Sequence, residues 1–485
     1  MSARKRFALG VFFGALAALG HAPFGLWPIA LAGFLGLFWL VTTSERPGWA
    51  AYAVGIGYFA VVLHWIVEPF LVDAATHGWM APFALILCAA GFALFWGASG
   101  WLAGRAFPNR RALAFAVLLT GAELLRGHIF TGFPWALPAY IWADTPMRMA
   151  VAWTGSYGLS FLMLVSLALP FAMGRVAGTL WAAAILGVTF AFGAMRAAPV
   201  DETDLLGQIR LVQPNVPQHE KWDFEKVPQH LQRLIDFSRE AEAELVVWPE
   251  SSVAYHLDQA GPVLQAASNA TGVPIILGLN RRAGDEIWHN SLAVVETGGR
   301  VAETYDKVHL VPFGEYIPFR IDLLRAMAAS SGFGFTSGEA VRLIETPLGR
   351  ALPLICYEGI FPGHIFKADA RADYLLQITN DAWFGNFSGP FQHLDQMRFR
   401  AAEQGLPLVR AANTGVSAVI DRFGRVEASI ELNEGGFLDH AVHGGERTLY
   451  SYTGDWPAIF IVLLSITALL SRKSRNTVAS DVGSS

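Results

Sequence analysis

An α/β domain carried between apolar helices is the architecture that this 485-residue sequence predicts, and three observations predict it. Composition is the first: 53% of residues are hydrophobic and only 15% charged, with 16 Trp and 34 Phe, far from soluble averages. The second is the uneven spread of apolar residues. Positions 1–198 carry few acidic residues and break into apolar runs, whereas 199–455 read as an ordinary soluble α/β domain. Third, a last apolar run from Trp456 to Leu470 ends in Ser471-Arg-Lys-Ser-Arg475. The net charge of −5 is weak and gives no footing for nucleic-acid binding.

Eight candidate spans cover roughly 7–24, 27–43, 50–70, 80–103, 111–127, 150–173, 178–197 and 456–470. Several are near the ~20 residues that a helix needs to cross a bilayer; the last is short and needs its flanks. Arg4-Lys-Arg6 before the first core looks like a secretory signal, but further spans follow at once, which favours an uncleaved helix. With the N-terminus in the cytoplasm, the inside segments hold Arg4, Lys5, Arg6, Arg46, Arg105, Arg110, Arg111, Arg175, Arg472, Lys473 and Arg475. The outside segments before the soluble domain then hold only Arg126, Arg148 and Arg196, a bias that follows the positive-inside rule. The predicted organisation is a membrane domain of seven transmembrane helices at 1–198, an exported catalytic-looking domain at 199–455, an eighth helix at 456–471 and a disordered cytoplasmic tail at 472–485.

Ionisable residues in or near the spans, His21, His64, Glu68, Glu123, Arg126 and His128, are costly in lipid. They are expected toward the outer ends of the helices. Trp79, Trp135, Trp142 and Trp153 suit interfacial aromatic belts, and the Pro-broken segment 129–149 reads as a re-entrant or surface loop. Of the two cysteines, Cys88 falls inside a span and cannot easily meet Cys356, so the exported thiol is left without an intramolecular disulfide partner.

Strands are predicted at 208–212, 245–248, 274–279, 291–296, 351–355, 374–379 and 417–421, and helices over 227–244, 390–404 and part of 321–330. Interleaved strands and helices indicate a layered α/β fold. Three motifs sit at or near strand ends, where such folds present their catalytic groups. Trp248-Pro-Glu-Ser251 places Glu250 just after an apolar strand, and a partly desolvated carboxylate there suits a general base. In Tyr305-Asp-Lys-Val-His309, Lys307 is a cation able to stabilise an oxyanion. The same segment continues to Glu315, which either orients a catalytic group or caps a loop, while His309 reads as structural because no metal-ligand spacing accompanies it. Leu352-Pro-Leu-Ile-Cys356 ends a strand in a thiol, and a helical turn after it would lower the thiol's pKa through its N-terminal amides. Each motif alone has an ordinary reading: a loop carboxylate, an exposed lysine, a packed cysteine. Base, cation and nucleophile together are far more specific.

The three segments Trp248-Pro-Glu250, Tyr305-Asp-Lys307 and Ile355-Cys-Tyr-Glu358 resemble the signatures of the nitrilase superfamily. Arg410-Ala-Ala-Asn-Thr-Gly-Val-Ser417 and Asp421-Arg-Phe-Gly-Arg425 are similar to its downstream strand region. With seven spans before this domain and one after, the chain over nearly its full length resembles the apolipoprotein N-acyltransferase family, to which His309-Leu-Val-Pro-Phe-Gly-Glu315 is also similar. The resemblance implies an αββα sandwich on the periplasmic side of a bacterial inner membrane. It implies acyl transfer from a phospholipid, through a cysteine thioester, to the N-terminal amine of a diacylglyceryl-cysteine apolipoprotein, with no metal or organic cofactor. Residue by residue, it makes Cys356 the nucleophile, Glu250 the general base and Lys307 the oxyanion stabiliser. Glu315, Tyr357 and Glu358 match supporting positions, and Trp222 a substrate-binding aromatic. Trp383 joins Phe333, Phe335, Phe384 and Phe387 as candidates for lining acyl-chain entry, with loop packing the equal alternative.

Two rivals differ in what they leave unexplained. A membrane-tethered carbon-nitrogen hydrolase acting on a small molecule uses the same three residues but needs only one anchor. A transporter with an accessory domain calls for charged pairs deep inside the spans, where this sequence is nearly all apolar.

Overall fold

The computed structural model describes residues 1–196, 205–284, 287–317 and 334–482, with 472–482 described by backbone alone. The chain divides into two units, one of Met1–Leu71, Ala75–Ala198 and Thr448–Ser485, the other of Val72–Ala74 and Pro199–Arg447. The helix expected within 321–330, and Phe333, fall outside the described residues.

The first unit is helical: α1 (Ala3–Ala18), α2 (Trp27–Thr43), α3 (Pro47–Val62), α4 (Ala81–Ala106), α5 (Arg111–His128), α6 (Val151–Ala172) and α7 (Arg175–Arg196). Each of the eight apolar runs carries a helix, the last of them Trp456–Val482. Among the described residues, Ala74–Ala106, Pro146–Ala172 and Arg175–Arg196 are long and apolar enough to cross a membrane. Pro47–Val62 with His64–Leu71 makes a fourth stretch if its 61° bend is counted as one span. That bend lies in the run expected at 50–70, where α3 stops at Val62 and a 3-10 turn follows. Close packing in this unit comes from small residues. A Cβ on Gly14 of α1 would lie 2.0 Å from the Val54 carbonyl of α3, and one on Gly57 of α3 2.0 Å from the Val11 carbonyl of α1.

Two expectations are corrected here. Of the two readings of segment 129–149, re-entrant or surface loop, the surface one is overturned, because Trp135 and Trp142 are 1% and 3% exposed. Trp135 packs on Trp65 and Trp142 on Trp27, so neither belongs to an interfacial belt, whereas Trp79 stays 65% exposed. The cause is Arg126, which is buried and donates to the carbonyls of Phe133 and Trp135, drawing the loop inward. The backbone of the final helix is described from Trp456 to Val482, longer than the 456–471 expected; residues 472–482 contain no Gly or Pro to break it.

The second unit has twelve strands in two six-stranded mixed sheets. One sheet runs β12-β1-β2-β3-β4-β5, with β1 (Leu205–Gln213), β2 (Leu245–Val247), β3 (Ile275–Arg282), β4 (Trp288–Val295), β5 (Val301–Asp306) and β12 (Gly436–His443). The other runs β11-β10-β9-β8-β7-β6, with β6 (Ile344–Thr346), β7 (Gly349–Ile355), β8 (Tyr374–Thr379), β9 (Leu408–Ala412), β10 (Ser417–Ile420) and β11 (Val426–Ile430). In each sheet the three central strands, β1-β2-β3 and β7-β8-β9, are parallel. Leu211, Val247 and Leu292 of the first sheet meet Ile355, Leu376 and Val409 of the second in one core. Helices α8 (Val227–Ser238) and α9 (Gly261–Thr271) cover the outer face of the first sheet, and α10 (Gly389–Gln404) that of the second. The layers are therefore α, β, β, α. The helix expected over 227–244 ends at Ser238, because Arg239 is extended and Glu240 has φ 50°.

Candidate active site

Three strand ends present the three predicted residues. Glu250 lies three positions beyond β2, Lys307 directly follows β5, and Cys356 directly follows β7. All are buried, with 6%, 1% and 6% of their surface exposed. The Glu250 loop lies against β3 because position 278 is glycine: a Cβ there would sit 2.4 Å from the Ser251 nitrogen and 2.6 Å from the Glu250 Cα. Lys307 is held by its own backbone, whose N–H donates to the Asn290 carbonyl at 2.9 Å. Its neighbour Asp306 is engaged elsewhere, accepting from Arg281 Nε at 3.0 Å and Ser291 Oγ at 2.6 Å.

The side chains form a dense cluster. Lys307 Nζ donates to Glu315 Oε1 at 2.9 Å and stands 3.6 Å from Glu250 Oε1. Asn290 Nδ2 bridges the two carboxylates, 2.7 Å from Glu250 Oε1 and 2.9 Å from Glu315 Oε1. The second oxygen of Glu250 accepts from the Asn380 backbone N–H at 2.9 Å, and that of Glu315 from the Val311 N–H at 2.8 Å. A second buried lysine, Lys221, donates to the Glu250 backbone carbonyl at 3.0 Å.

Electrostatics give each group a state. Burial alone would strip Lys307 of its proton, but Glu315, Glu250 and Cys356 outweigh it and hold the ammonium charged. Burial pulls Lys221 down to about 8, although Glu250 and Cys356 oppose this. The Cys356 thiol is pushed up, first by burial and then by Glu250, against the pull of Lys307. This overturns the expectation of a lowered thiol pKa. The turn after Cys356 is a 3-10 stretch of only five residues, Cys356–Ile360, and burial dominates. A resting thiol of this kind needs a base at the moment of attack.

Glu358 is a brace. One oxygen accepts from the backbone N–H groups of Val308 and His309 at 2.7 and 3.1 Å; the other accepts from that of Ile355 at 2.8 Å. Tyr305 OH also reaches both oxygens, at 3.2 and 3.3 Å. The carboxylate thereby ties the Lys307 segment to the residue before Cys356, with burial raising its pKa to about 7. Tyr357 packs edge-on to His309 and Phe361, and His309 stacks on Phe361 at 3.9 Å. No group of three or more potential metal ligands occurs among the described residues.

Trp222 follows Lys221 and is 48% exposed. Trp383 and Phe384 are half-buried in the turn Asp381–Phe384, where Phe384 meets His393 edge-on; Phe335 is half-buried, and Phe387 is 51% exposed. The sequence reading missed Lys221, Asn290 and Asn380 as parts of the cluster. A polar residue inside an apolar strand was an available signal for Gln377 in Tyr374–Thr379, whereas Asn290 sits between His289 and Ser291 and carries no such signal.

Residues 13–169 match the apolipoprotein N-acyltransferase N-terminal domain family, and residues 208–446 match carbon-nitrogen hydrolase. Apolipoprotein N-acyltransferase from Caulobacter vibrioides is 37% identical over 507 residues, covering 96% of this chain and 94% of that protein. The one from Rhodopseudomonas palustris is 36% identical over 516 residues, covering 97% and 95%. A solved carbon-nitrogen hydrolase from Helicobacter pylori aligns with a TM-score of 0.39 at 17% identity, covering 49% of this chain and 88% of that one.

Proposed function

This chain belongs to the apolipoprotein N-acyltransferase family and is an acyltransferase of the carbon-nitrogen hydrolase superfamily, and on that premise we propose a two-step transfer through Cys356. The single observation carrying the mechanism is the buried cluster in which the Lys307 ammonium stands 3.6 Å from Glu250, with both charges acting on the Cys356 thiol.

In the first step Glu250 takes the thiol proton and the sulfur attacks an ester carbonyl of a phospholipid, phosphatidylethanolamine being the type expected. Lys307 stabilises the oxyanion. The C–O bond breaks, Glu250 returns the proton to the departing lysophospholipid oxygen, and a thioester remains. In the second step the α-amine of a diacylglyceryl-cysteine apolipoprotein attacks the thioester. An α-amine has a pKa of ~7.7–8.0, so a useful fraction is neutral at mild pH. Glu250 accepts the amine proton, the C–S bond breaks, and the proton returns to the sulfur. Glu315 shares Lys307 and Asn290 with Glu250 and so keeps the ammonium placed; Glu358 braces the backbone on both sides of the reaction. Trp222 and Trp383 are assigned to substrate contact. No step calls for a cofactor.

The protein is a bacterial membrane protein, consistent with its apolar helices. Eight crossings, with the α/β unit on the periplasmic side of the inner membrane, are the topology we assign, from the distribution of Lys and Arg. The rival small-molecule hydrolase gains nothing from the match over residues 13–169, which is specific to the acyltransferases.

The test is incubation of the purified protein with phospholipid carrying a labelled acyl chain, followed by mass spectrometry of the Cys356 peptide. Wild type acquires the acyl adduct and Cys356→Ala does not. Lys307→Met folds but acylates about 10²–10³-fold more slowly, the loss typical of one oxyanion donor. No adduct in wild type, or one surviving in Cys356→Ala, sinks the mechanism.

A further inference from the structure

Behind the nucleophile lies a second polar cluster that the transfer mechanism does not use. Cys356 has φ 51°, a left-handed backbone that is unfavourable for a non-glycine residue. Its carbonyl is turned toward Gln377, whose Nε2 donates to it at 3.0 Å, with His393 Nε2 at 3.3 Å. Gln377 Oε1 accepts from Arg410, and Arg410 also donates to Asp381. Asp381 Oδ1 is 2.9 Å from both His393 Nδ1 and Thr379 Oγ1. The side chains come from β8, the turn after it, α10 and β9, and Gln377, Asp381, His393 and Arg410 are wholly buried.

The shorter contacts of this network fix most of its hydrogens, leaving His393 Nε2 beside the Cys356 carbonyl and Nδ1 beside Arg410, both at 3.3 Å, as contacts without a hydrogen bond. Burial would raise the Asp381 carboxyl, but Arg410, His393 and Thr379 outweigh it and hold it at about 2, so it only accepts. The proton on His393 must then sit on Nδ1, facing the carboxylate. Burial keeps this imidazole neutral, leaving Nε2 as an acceptor. Gln377 Nε2 lies 3.1 Å from it and has two hydrogens, one for His393 Nε2 and one for the Cys356 carbonyl. The Gln377 amide cannot flip, because its oxygen is taken by Arg410. Its orientation is thus dictated by Arg410 and His393, while Asp381 and Thr379 of the same network also act on the thiol.

We propose that Gln377, locked by His393, Asp381 and Arg410, is a positioning residue for the nucleophile, fixing the left-handed backbone of Cys356. In a planar trans peptide the Cys356 C=O and the Tyr357 N–H point in opposite directions. Anchoring the carbonyl toward the network therefore aims the Tyr357 N–H away from it, and sets the Cα–Cβ vector along which the thiol projects. A buried ion pair with a histidine is a costly filler where apolar side chains would serve stability as well. Positioning gives it a purpose that packing does not.

The inference rests on Cys356 being the acylated residue, and its test separates the two ideas. Full-length wild type, Gln377→Leu, His393→Leu and His393→Gln are each given labelled phospholipid in detergent. Acylation rate is divided by the amount of Cys356 that iodoacetamide can label in the same sample, so that misfolded protein drops out. Gln377→Leu is expected to acylate about 10²-fold more slowly per reactive thiol, the loss associated with ångström-scale misplacement. His393→Leu should slow as well, and His393→Gln, which keeps a polar group facing Gln377, should recover most of the rate. A per-thiol rate indistinguishable from wild type in Gln377→Leu, with only the melting temperature lowered, overturns the proposal. If that variant does not accumulate, the two His393 variants decide: equal rates for Leu and Gln overturn it. Absence of any wild-type adduct overturns the acyl-transfer reading and this proposal with it.

Discussion

Each unit of this protein buries a cluster of charge, and the two clusters are built differently. In the helical unit, Glu123 and Arg126 lie one turn apart on α5 and pair directly. The carboxylate also takes the Trp96 indole N–H at 2.8 Å, while the guanidinium donates to two backbone carbonyls and faces the rings of Phe59 and Phe92. In the α/β unit, two lysines and two carboxylates arrive from three separate segments around a thiol that burial keeps protonated. The first cluster is local, and its cation is spent on holding a loop. The second brings a proton acceptor, a proton donor and a cation together at the ends of strands from both sheets. Burial of charge does not by itself mark a catalytic centre; what makes this cluster the candidate is a reactive group set among charges that can respond to it.

The sharpest way to break that distinction is Glu250→Gln. It keeps the shape and the hydrogen-bonding reach toward Asn290 but removes the only base assigned to the thiol. Cys356 acylation should fall by about 10²–10⁴-fold per iodoacetamide-reactive thiol. A variant that acylates at the wild-type rate would show that the two clusters do not differ in kind. Arg126→Met tests the other side. Removing one partner of a buried pair typically costs about 3 kcal/mol or more. Its melting temperature in detergent should drop, while acylation per reactive thiol stays at the wild-type level. A selective loss of rate at unchanged stability would move Arg126 into the chemistry.

The contrast also explains what was legible in the sequence. Strands β2, β7 and β8 could be read because central parallel strands are continuous apolar runs, and two of them deliver Glu250 and Cys356. Strands β5, β9 and β12 were not read, since Glu303, Arg410 and Asp439 interrupt their apolar pattern. Those charges are tolerated through partners far away in sequence: Arg342 for Glu303, Asp381 for Arg410, Arg210 for Asp439. The three proposed catalytic residues were legible because each stands in a compact local motif. Asn290 stands 40 residues from Glu250 and joins it only through the β3–β4–β5 register, which no local pattern encodes. The burial of Trp135 and Trp142 in the loop at 129–149 was not legible for the same reason, because Arg126 satisfies carbonyls of that loop from the preceding helix.

A smaller effect belongs to Glu358. Substituting Gln leaves one acceptor oxygen among N–H donors that now occupy two, so a donor faces a donor and about 1–3 kcal/mol should be lost. A pH signature accompanies it. The native carboxyl titrates at about 7 against an ordinary value of 4.5, so the native state holds the extra proton between those values. That contribution to stability is full at low pH and is lost as pH rises through about 7. Glu358→Gln should lower the melting temperature and flatten its pH dependence in that window; an unchanged profile would mean that the brace carries no titrating proton.

The mildest prediction concerns Lys221, and its sign is the reverse. Its native pKa of about 8 lies below the ordinary 10.5, so between these values the unfolded chain binds more protons than the native one. Stability contributed by this group therefore rises with pH across that window, by no more than about 1.4 kcal/mol per pH unit. Other groups titrate there too, so the informative quantity is the wild-type melting profile minus that of Lys221→Met. The difference should climb between about pH 8 and 10 and level off on either side. Lys221→Met should also loosen the Glu250 carbonyl and slow acylation, though less than Lys307→Met, because Lys221 holds the backbone of the base while Lys307 faces its carboxylate. If instead both substitutions cost the same rate, Lys221 acts on the reacting atoms directly, and the α/β cluster contains two working cations.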